Sequence, residues 1–207
     1  TYPGDVPKQS QSILGEALTY VYDNGVSFGD LGIRFDQTDE QGSKTSSRVS
    51  LGRRFREERL EIALVAGTGF KIPTLYQLYE PTYGNTDLKI ENSKSLEFVV
   101  EKQFVSRDQM QFTAFDHNFK DMIDFSNSRY RNVDEAKTRG FEFESRIQVV
   151  DSFRFSPSYT YLEATEEPSG DRLLRRPRKS WGVQLDYFRE SWTVYMNYQY
   201  RGERIDS

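Results

Sequence analysis

The feature of the sequence that most constrains its fold is an alternation of apolar and polar residues with a period of two. In residues 138–150, TRGFEFESRIQVV, the odd positions carry Phe141, Phe143, Ile147 and Val149, and the even positions carry mostly charged or amide side chains. Successive side chains of a β-strand point to opposite faces, so such a strand has one apolar and one polar face. Apolar residues rarely recur at helical spacing, and no stretch combines a capping box with a helix C-cap. The pattern predicts an all-β chain.

The same alternation recurs along the chain. Clear examples are RLEIALVAG at 59–67, SLEFVVEKQF at 95–104, SWGVQLDYF at 180–188 and SWTVYMNYQY at 191–200. About ten such segments follow one another, each roughly 9–14 residues long. One face is expected to carry Phe141, Phe143, Trp181, Val183, Leu185, Trp192, Val194 and Met196, and the other Glu142, Glu144, Gln184 and Asp186.

Short and long connections alternate between these segments. Short ones are predicted at 23–25, 57–58, 106–108, 151–152 and 189–190, and long ones near 37–46, 70–93, 117–136 and 164–179. An up-and-down antiparallel sheet with tight turns at one end and long loops at the other has this layout, and outer-membrane barrels are built in this way. We therefore predict an antiparallel meander of about ten strands that forms part of a transmembrane β-barrel.

Composition favours a barrel wall between lipid and a water-filled lumen. Hydrophobic residues make up only 36% of the chain, yet aromatic residues reach 14%, which is too many for a disordered chain. Charges in a row, such as Glu142, Glu144 and Arg146, would be very costly inside a sandwich but stay hydrated in a lumen. Aromatic residues near strand ends, such as Trp181 and Trp192, would form interfacial girdles. The alternative is a soluble β-sheet binding module, which requires a second layer over the apolar face.

The segment FKIPTLYQLYEPTYGNTDLKIENSKSLE, at 70–97, resembles the hallmark segment of TonB-dependent outer-membrane receptors. The matching positions are Phe70, Lys71, Pro73, Leu75, Leu78, Tyr79, Tyr83, Gly84, Asn85, Leu88, Glu91, Ser93 and Glu97, and the departures are Ile72, Thr86 and Ile90. Further elements of the family follow in order as GIRFD at 32–36, YRNVDEAKTRGFEFE at 130–144, YTYLEA at 159–164 and LLRRPR at 173–178. The resemblance covers roughly residues 30–201, and it is strongest to the cobalamin receptors, followed by siderophore and haem receptors.

This resemblance implies a location, a function and partners. Members of the family are 22-stranded barrels with an N-terminal plug, and they import scarce, large ligands with energy transmitted by TonB. Residues 1–207 would then be part of such a barrel in the cell outer membrane, with the plug, the N-terminal strands and the final strands outside this sequence. The expected partners are the lipid bilayer and lipopolysaccharide, the receptor's own plug, TonB, and a cobalamin or siderophore ligand. The net charge of −4 argues against nucleic acid as a partner.

The sequence predicts no catalytic site, no cofactor and no metal site. His117 is the only histidine, and Asp116, Asp121 and Asp124 lie near it in the sequence. A ten-stranded outer-membrane hydrolase is therefore a further alternative, which requires a carboxylate within reach of His117.

Candidate ligand contacts come from the long connections. They are Tyr76, Tyr79, Tyr83, Asn85, Asp87, Arg175 and Arg176. Tyrosines are rigid, amphipathic contact residues of the kind that binding surfaces favour. For Pro73, Tyr83, Gly84 and Asn85 we favour a structural role, in which they fold the loop back over the barrel rim.

Overall fold

A single antiparallel sheet of ten strands makes up the fold, in a computed structural model that describes residues 9–39, 42–105 and 108–205. Each strand pairs with its sequence neighbours. The strands are β1 (Ile13–Asp23), β2 (Ser27–Thr38), β3 (Gly42–Phe55), β4 (Leu60–Lys71), β5 (Glu91–Gln103), β6 (Gln109–Ser126), β7 (Arg129–Val150), β8 (Phe153–Glu167), β9 (Lys179–Arg189) and β10 (Trp192–Arg201). Helix α1 (Leu75–Tyr79) lies between β4 and β5. Within these ranges no helix is long and apolar enough to cross a membrane. The predicted meander of about ten strands is confirmed.

The pairing register separates an apolar face from a polar face. Leu185 of β9 lies opposite Met196 of β10, and the next residue, Asp186, lies opposite Arg154 of β8. Directly opposite residues of an antiparallel pair share one side of the sheet. The register of β7 to β10 places all eight residues predicted for the apolar face on one side of the sheet and all four predicted for the polar face on the other. The predicted division of these residues between two faces is therefore confirmed.

The apolar face is uncovered in the part of the chain that the structure describes. Leu31, Leu51 and Leu64 are 57%, 68% and 50% exposed. A soluble sheet module would bury this face under a second layer, because exposed apolar area of this extent is unfavourable in water. The structure therefore does not support that alternative.

The connection predicted near 117–136 is wrong. Strands β6 and β7 continue as a paired hairpin as far as Ser126 and Arg129. Between them Asn127 and Ser128 have positive φ angles of 51° and 57°, as a tight two-residue hairpin turn requires. The many polar residues of this segment favour a loop, but cross-strand pairing extends the hairpin, and its apolar residues Met122, Ile123 and Val133 are buried under the connections.

Other connections agree with prediction to different degrees. The long loop predicted near 37–46 is also wrong, since β2 reaches Thr38 and β3 begins at Gly42. The connection predicted at 164–179 is shorter and spans residues 168–178. The short turns predicted at 23–25, 57–58, 151–152 and 189–190 are present to within two residues, and residues 106 and 107 of the remaining one lie outside the described residues.

Residues 72–90 form a structured connection that begins with helix α1. The Thr74 hydroxyl accepts a hydrogen bond from the Gln77 N–H at 3.2 Å, and the Gln77 side chain accepts one from the Thr74 N–H at 3.0 Å. This reciprocal pair is a capping box. The all-β prediction is confirmed, and this five-residue helix is too short to give a periodic signal in the sequence.

Two small apolar clusters lie at the end of the sheet where the long connections are. The first contains Leu78, Leu88 and Ile123, with Tyr79 and Tyr130 packed against them. The second contains Met122, Val133, Ala136, Ala164 and Leu173, with Phe119 and Leu162 packed against them. The buried core thus lies under the connections and not between two layers of secondary structure.

Candidate functional site

An aromatic cluster lies where residues 72–90 meet the tip of the β6–β7 hairpin. The ring centroid of Phe125 is 5.6 Å from that of Tyr83 and 5.1 Å from that of Tyr130, and Tyr130 is 6.2 Å from Tyr76. All three contacts are edge-to-face, the favourable geometry for such pairs. The Arg175 guanidinium, from the β8–β9 connection, lies 5.5 Å from the Phe125 ring centroid. We call these five residues the loop aromatic cluster.

Hydrogen bonds fix residues 72–90 against the hairpin. The Asn85 side chain donates to the Tyr130 carbonyl at 2.9 Å. Further along, the Asn132 side chain accepts from the Lys89 N–H at 2.8 Å and donates to the Lys89 carbonyl at 3.1 Å. These bonds join segments far apart in the sequence, so the connection and the hairpin tip form one packed unit.

Two tyrosines of the loop aromatic cluster are open to solvent. Tyr76 is 59% exposed and Tyr83 is 39% exposed. Partial desolvation, with a smaller contribution from the Glu80 carboxylate, raises the pKa of the Tyr76 phenol, so this group is protonated at neutral pH and can donate a hydrogen bond. With the exposed Arg175 beside them, the cluster offers ring faces, hydroxyl groups and a cation. The structure thus brings together three of the predicted contact residues.

The other predicted contact residues have different surroundings. Asn85 is half-buried and its amide holds the loop, whereas Asp87 is exposed and its N–H donates to the Asn85 side chain at 3.1 Å. Arg176 is half-buried and donates to the Leu174 carbonyl at 3.4 Å. Tyr79 packs against the apolar cluster beneath α1.

Pro73 and Gly84 occupy positions that fit the structural role favoured from the sequence. Pro73 is less than 2% exposed. A Cβ added to Gly84 would lie 2.4 Å from the Glu80 carbonyl oxygen, so a larger residue would force the loop apart. Both residues shape residues 72–90.

Sequence reasoning missed the two aromatic residues of the hairpin, Phe125 and Tyr130. They are direct partners in the β6–β7 ladder, and the turn lies between them. The available signal was FSNSRY at 125–130, in which Asn127 marks a tight turn between short alternating stretches.

His117 lies on the polar face of β6, opposite Ser95 of β5. Its Nε2 atom is 3.4 Å from Oε1 of Glu97, and its ring centroid is 5.2 Å from that of Phe115. The nearby carboxylate is therefore Glu97, on the adjacent strand, and not one of the three aspartates suggested by the sequence. The proximity that the hydrolase alternative requires is met, but one histidine–carboxylate contact defines no reaction.

Ion pairs distribute charge along the polar face near β2 and β3. Arg48 lies 2.7 Å from Asp30, and Arg54 lies 2.7 Å from Asp23. Mixed charges of this kind suit a hydrated wall, because solvent lowers the cost of each charge.

Comparison with a family model and with curated proteins points to one protein family. The family described as TonB dependent receptor-like, beta-barrel matches residues 17–207. The vitamin B12 transporter BtuB of Vibrio cholerae is 30% identical over 180 residues, which cover 84% of this chain and 28% of that protein. The chain thus spans less than a third of the length of this curated relative.

Solved structures show the same fold. The siderophore receptor PirA from Acinetobacter baumannii superposes with a TM-score of 0.74 at 18% identity, over 94% of this chain and 34% of that one. The ferric enterobactin receptor PfeA from Pseudomonas aeruginosa, as its Q482A mutant with enterobactin, superposes with a TM-score of 0.71 at 21% identity, over 86% of this chain and 30% of that one. With a family match over most of its length and a sheet of the same architecture, the chain belongs to the TonB-dependent receptor-like β-barrel family.

Proposed function

We propose that this chain forms part of the barrel of a receptor in the cell outer membrane that imports a scarce, large ligand with TonB-coupled energy. The ligand is cobalamin or a ferric siderophore, in keeping with the names of the relatives. In this proposal the chain catalyses no reaction and binds no nucleic acid. The rest of the receptor supplies the plug and the other strands.

The loop aromatic cluster carries the proposal. Its exposed tyrosines come from residues 72–90 and Arg175 comes from the β8–β9 connection. A hydrogen bond from Asn85 to the β6–β7 hairpin holds the segment that carries the tyrosines in place. A preorganised surface loses little conformational entropy on binding. Ring faces beside hydroxyl groups and a cation suit a bulky, polar ligand that also has flat apolar surface.

The two faces of the sheet support the same arrangement. The apolar face would contact lipid and the lipid part of lipopolysaccharide, and the polar face would line the lumen and contact the plug. The hydrolase alternative rests on the His117–Glu97 contact, and it is not favoured because the chain belongs to a family of receptors and transporters.

Titration of the purified full-length receptor with cyanocobalamin and with a panel of ferric siderophores tests the proposal. We expect saturable binding of one of these ligands, and we expect the combined Tyr76→Ala, Tyr83→Ala and Arg175→Gln variant to bind at least about tenfold more weakly. Tyr22→Ala is the matched control, because Tyr22 is an exposed tyrosine at the short-turn end of the sheet.

The outcomes separate the parts of the proposal. Siderophore binding without cobalamin binding would support the proposed receptor function and exclude cobalamin as the ligand. Binding of neither class, by a receptor shown to be folded, would contradict the proposed function. Equal loss of affinity in the Tyr22→Ala control would show that the loop aromatic cluster is not the contact surface.

A further inference from the structure

A recess lies in the polar face of β8 and β9, where short side chains stand between longer ones. One row of the register across β7 to β10 consists of Glu144, Ser158, Gly182 and Gln199. The next row towards the long connections consists of Glu142, Thr160, Ser180 and Arg201. In both rows the two middle strands carry a hydroxyl-bearing side chain or none, and the two outer strands carry long ones. We call the floor of this recess the wall groove, formed by Ser156, Ser158, Thr160, Ser180 and Gly182.

Two adjoining cavities occupy the wall groove. They share Ser158, Gly182 and Gln199 in their linings, and their volumes are about 360 and 230 Å³. The smaller cavity reaches Thr160 towards the long connections, and the larger one reaches Asp186 towards the short turns. Neighbouring strands lie about 4.8 Å apart, so the groove is roughly 14 Å wide from β7 to β10. It is therefore an extended groove that follows the strands.

Gly182 keeps the floor of the wall groove open. A Cβ added to this glycine would lie 2.9 Å from the Ser158 hydroxyl oxygen and 3.5 Å from the Tyr198 carbonyl oxygen. A larger residue would therefore project into the space that the two cavities share.

The β7–β8 ladder is interrupted beside the wall groove. Its register pairs stop at Glu144 and Ser158 and resume at Ile147 and Phe155. Between them lies Pro157, which has no N–H to donate and is unusual in a strand with partners on both sides. Pro157 also lines the larger cavity. The chain thus departs from ordinary strand composition at this groove, as proteins do where function constrains the sequence.

The wall groove offers neutral hydrogen-bonding groups and balanced charge. Besides the hydroxyl groups of its floor, the larger cavity is lined by the amides of Gln109, Gln111, Gln184, Asn197 and Gln199. The charged residues of the cavities and of the two rows are Glu142, Glu144, Asp186, Arg146, Arg154 and Arg201, three of each sign. Amides and hydroxyls both donate and accept hydrogen bonds. Such a surface suits an uncharged group that does the same, above all a carboxamide.

The wall groove leads towards the short-turn end of the polar face. At that end Asp186 lies opposite Arg154, and it accepts a 2.8 Å hydrogen bond from the Gln184 amide. In an outer-membrane barrel the short turns face the periplasm. The groove would therefore lie on the exit side of the lumen, and the loop aromatic cluster on the entry side.

We propose that the wall groove is a transit subsite that binds the carboxamide groups of an uncharged ligand during import. This rests on the import function given under Proposed function. Hydrogen bonds from the wall would replace the hydration that the ligand's amides lose in the lumen. Because the groove lies below the surrounding side chains, it would stay open beneath a plug that rests on them. Of the two ligand classes, cobalamin has the matching chemistry, since cyanocobalamin carries primary amides and no net charge.

Uptake and binding, measured on the same full-length receptor variants, test this subsite. Gly182→Leu fills the groove, and the combined Gln184→Leu, Asn197→Leu and Gln199→Leu variant removes three amides. Gly32→Leu is the matched control, because Gly32 also lies on the polar face and its Cβ would meet no atom closer than 3.7 Å. Cyanocobalamin is titrated into each purified receptor, and its initial uptake per receptor is measured in energised cells. Heat-modifiable migration on gels shows that each variant is folded.

We expect both groove variants to take up cyanocobalamin at least about tenfold more slowly, because the ligand's amides lose hydrogen-bond partners along the wall. Their affinity should stay within about twofold of that of the unaltered receptor, since the loops that recognise the ligand are distant from the groove. The control should match the unaltered receptor in both measurements. Unchanged uptake by the folded groove variants, or equal slowing in the control, would overturn the subsite. A loss of affinity as large as the loss of uptake would also overturn it, because the change would then act through the loops.

The choice of ligand separates this inference from the receptor function. An unaltered receptor that imports a ferric siderophore but no cyanocobalamin would overturn the ligand class assigned to the wall groove, and it would leave the receptor function standing.

Discussion

The side-chain amide of Asn85 donates a 2.9 Å hydrogen bond to the backbone carbonyl of Tyr130, 45 residues further along the chain. The backbone N–H of the same asparagine donates a 2.8 Å hydrogen bond to the Gln77 carbonyl. One residue therefore ties the helix-containing connection both to itself and to the β6–β7 hairpin. The exposed tyrosines of the loop aromatic cluster depend on this link for their position.

Asn85→Ala should loosen residues 72–90 without unfolding the sheet. The variant loses the bond to Tyr130, for which the expected cost is about 1 kcal/mol. Hydrogen–deuterium exchange should rise several-fold at the amides of α1 and stay unchanged in β8 and β9. Asp87→Asn, a change at an exposed neighbour, should leave exchange as it was. If the two variants exchange alike, Asn85 does not hold the loop.

Gly84→Ala should displace the same loop by steric conflict. The added Cβ would meet the Glu80 carbonyl oxygen at 2.4 Å and the Glu80 nitrogen at 2.7 Å. We expect weaker ligand binding and faster exchange in α1. Gly32→Ala serves as the control, because its Cβ would lie no closer than 3.7 Å to any neighbour. A Gly84→Ala receptor that keeps full affinity would contradict the fixed conformation described for this loop.

Arginine substitutions at adjacent residues of β4 should have opposite consequences. Leu64 lies opposite Phe98 on the apolar face, and Val65 lies opposite Glu97 on the polar face. Leu64→Arg places a charge on the apolar face near the middle of β4, at a cost of about 2–4 kcal/mol if this face contacts lipid, whereas Val65→Arg gains a carboxylate neighbour. Urea unfolding of the full-length receptor in bilayers should show a marked loss of stability only for Leu64→Arg. Equal losses would mean that the two faces do not differ in environment.

The sheet was predictable from the sequence because every strand that separates an apolar from a polar environment must alternate. Leu185 and Asp186 are adjacent in sequence and lie on opposite faces, as their pattern indicates. In the part of the β6–β7 hairpin that packs against the connections this constraint is lost, so its sequence predicts a loop although the strands remain paired as far as Ser126 and Arg129. There, strand pairing and not contact with lipid maintains the extended backbone.

The loop aromatic cluster was predictable only in part. The residue types of Tyr76, Tyr83 and Arg175 and their place in long connections predict them as candidate ligand contacts. Their convergence on Phe125 and Tyr130 is a tertiary contact between segments far apart in the chain, and no local pattern encodes it. Likewise, the carboxylate beside His117 comes from the neighbouring strand, which the order of residues alone does not reveal.

The orientation of β7 in the membrane-embedded, full-length receptor tests most directly whether the sheet is a barrel wall between lipid and a hydrated lumen. This chain contains no cysteine, so single cysteines can be introduced by Phe141→Cys, Glu142→Cys, Phe143→Cys and Glu144→Cys in a receptor otherwise free of cysteine. We predict that the variants at 141 and 143 are protected from a water-soluble maleimide and that a fluorophore attached there is quenched by lipid-bound nitroxides. The variants at 142 and 144 should react with the maleimide and escape that quenching. Labelling without this alternation, or its reversal, would contradict a barrel wall with lipid on one side and a hydrated lumen on the other.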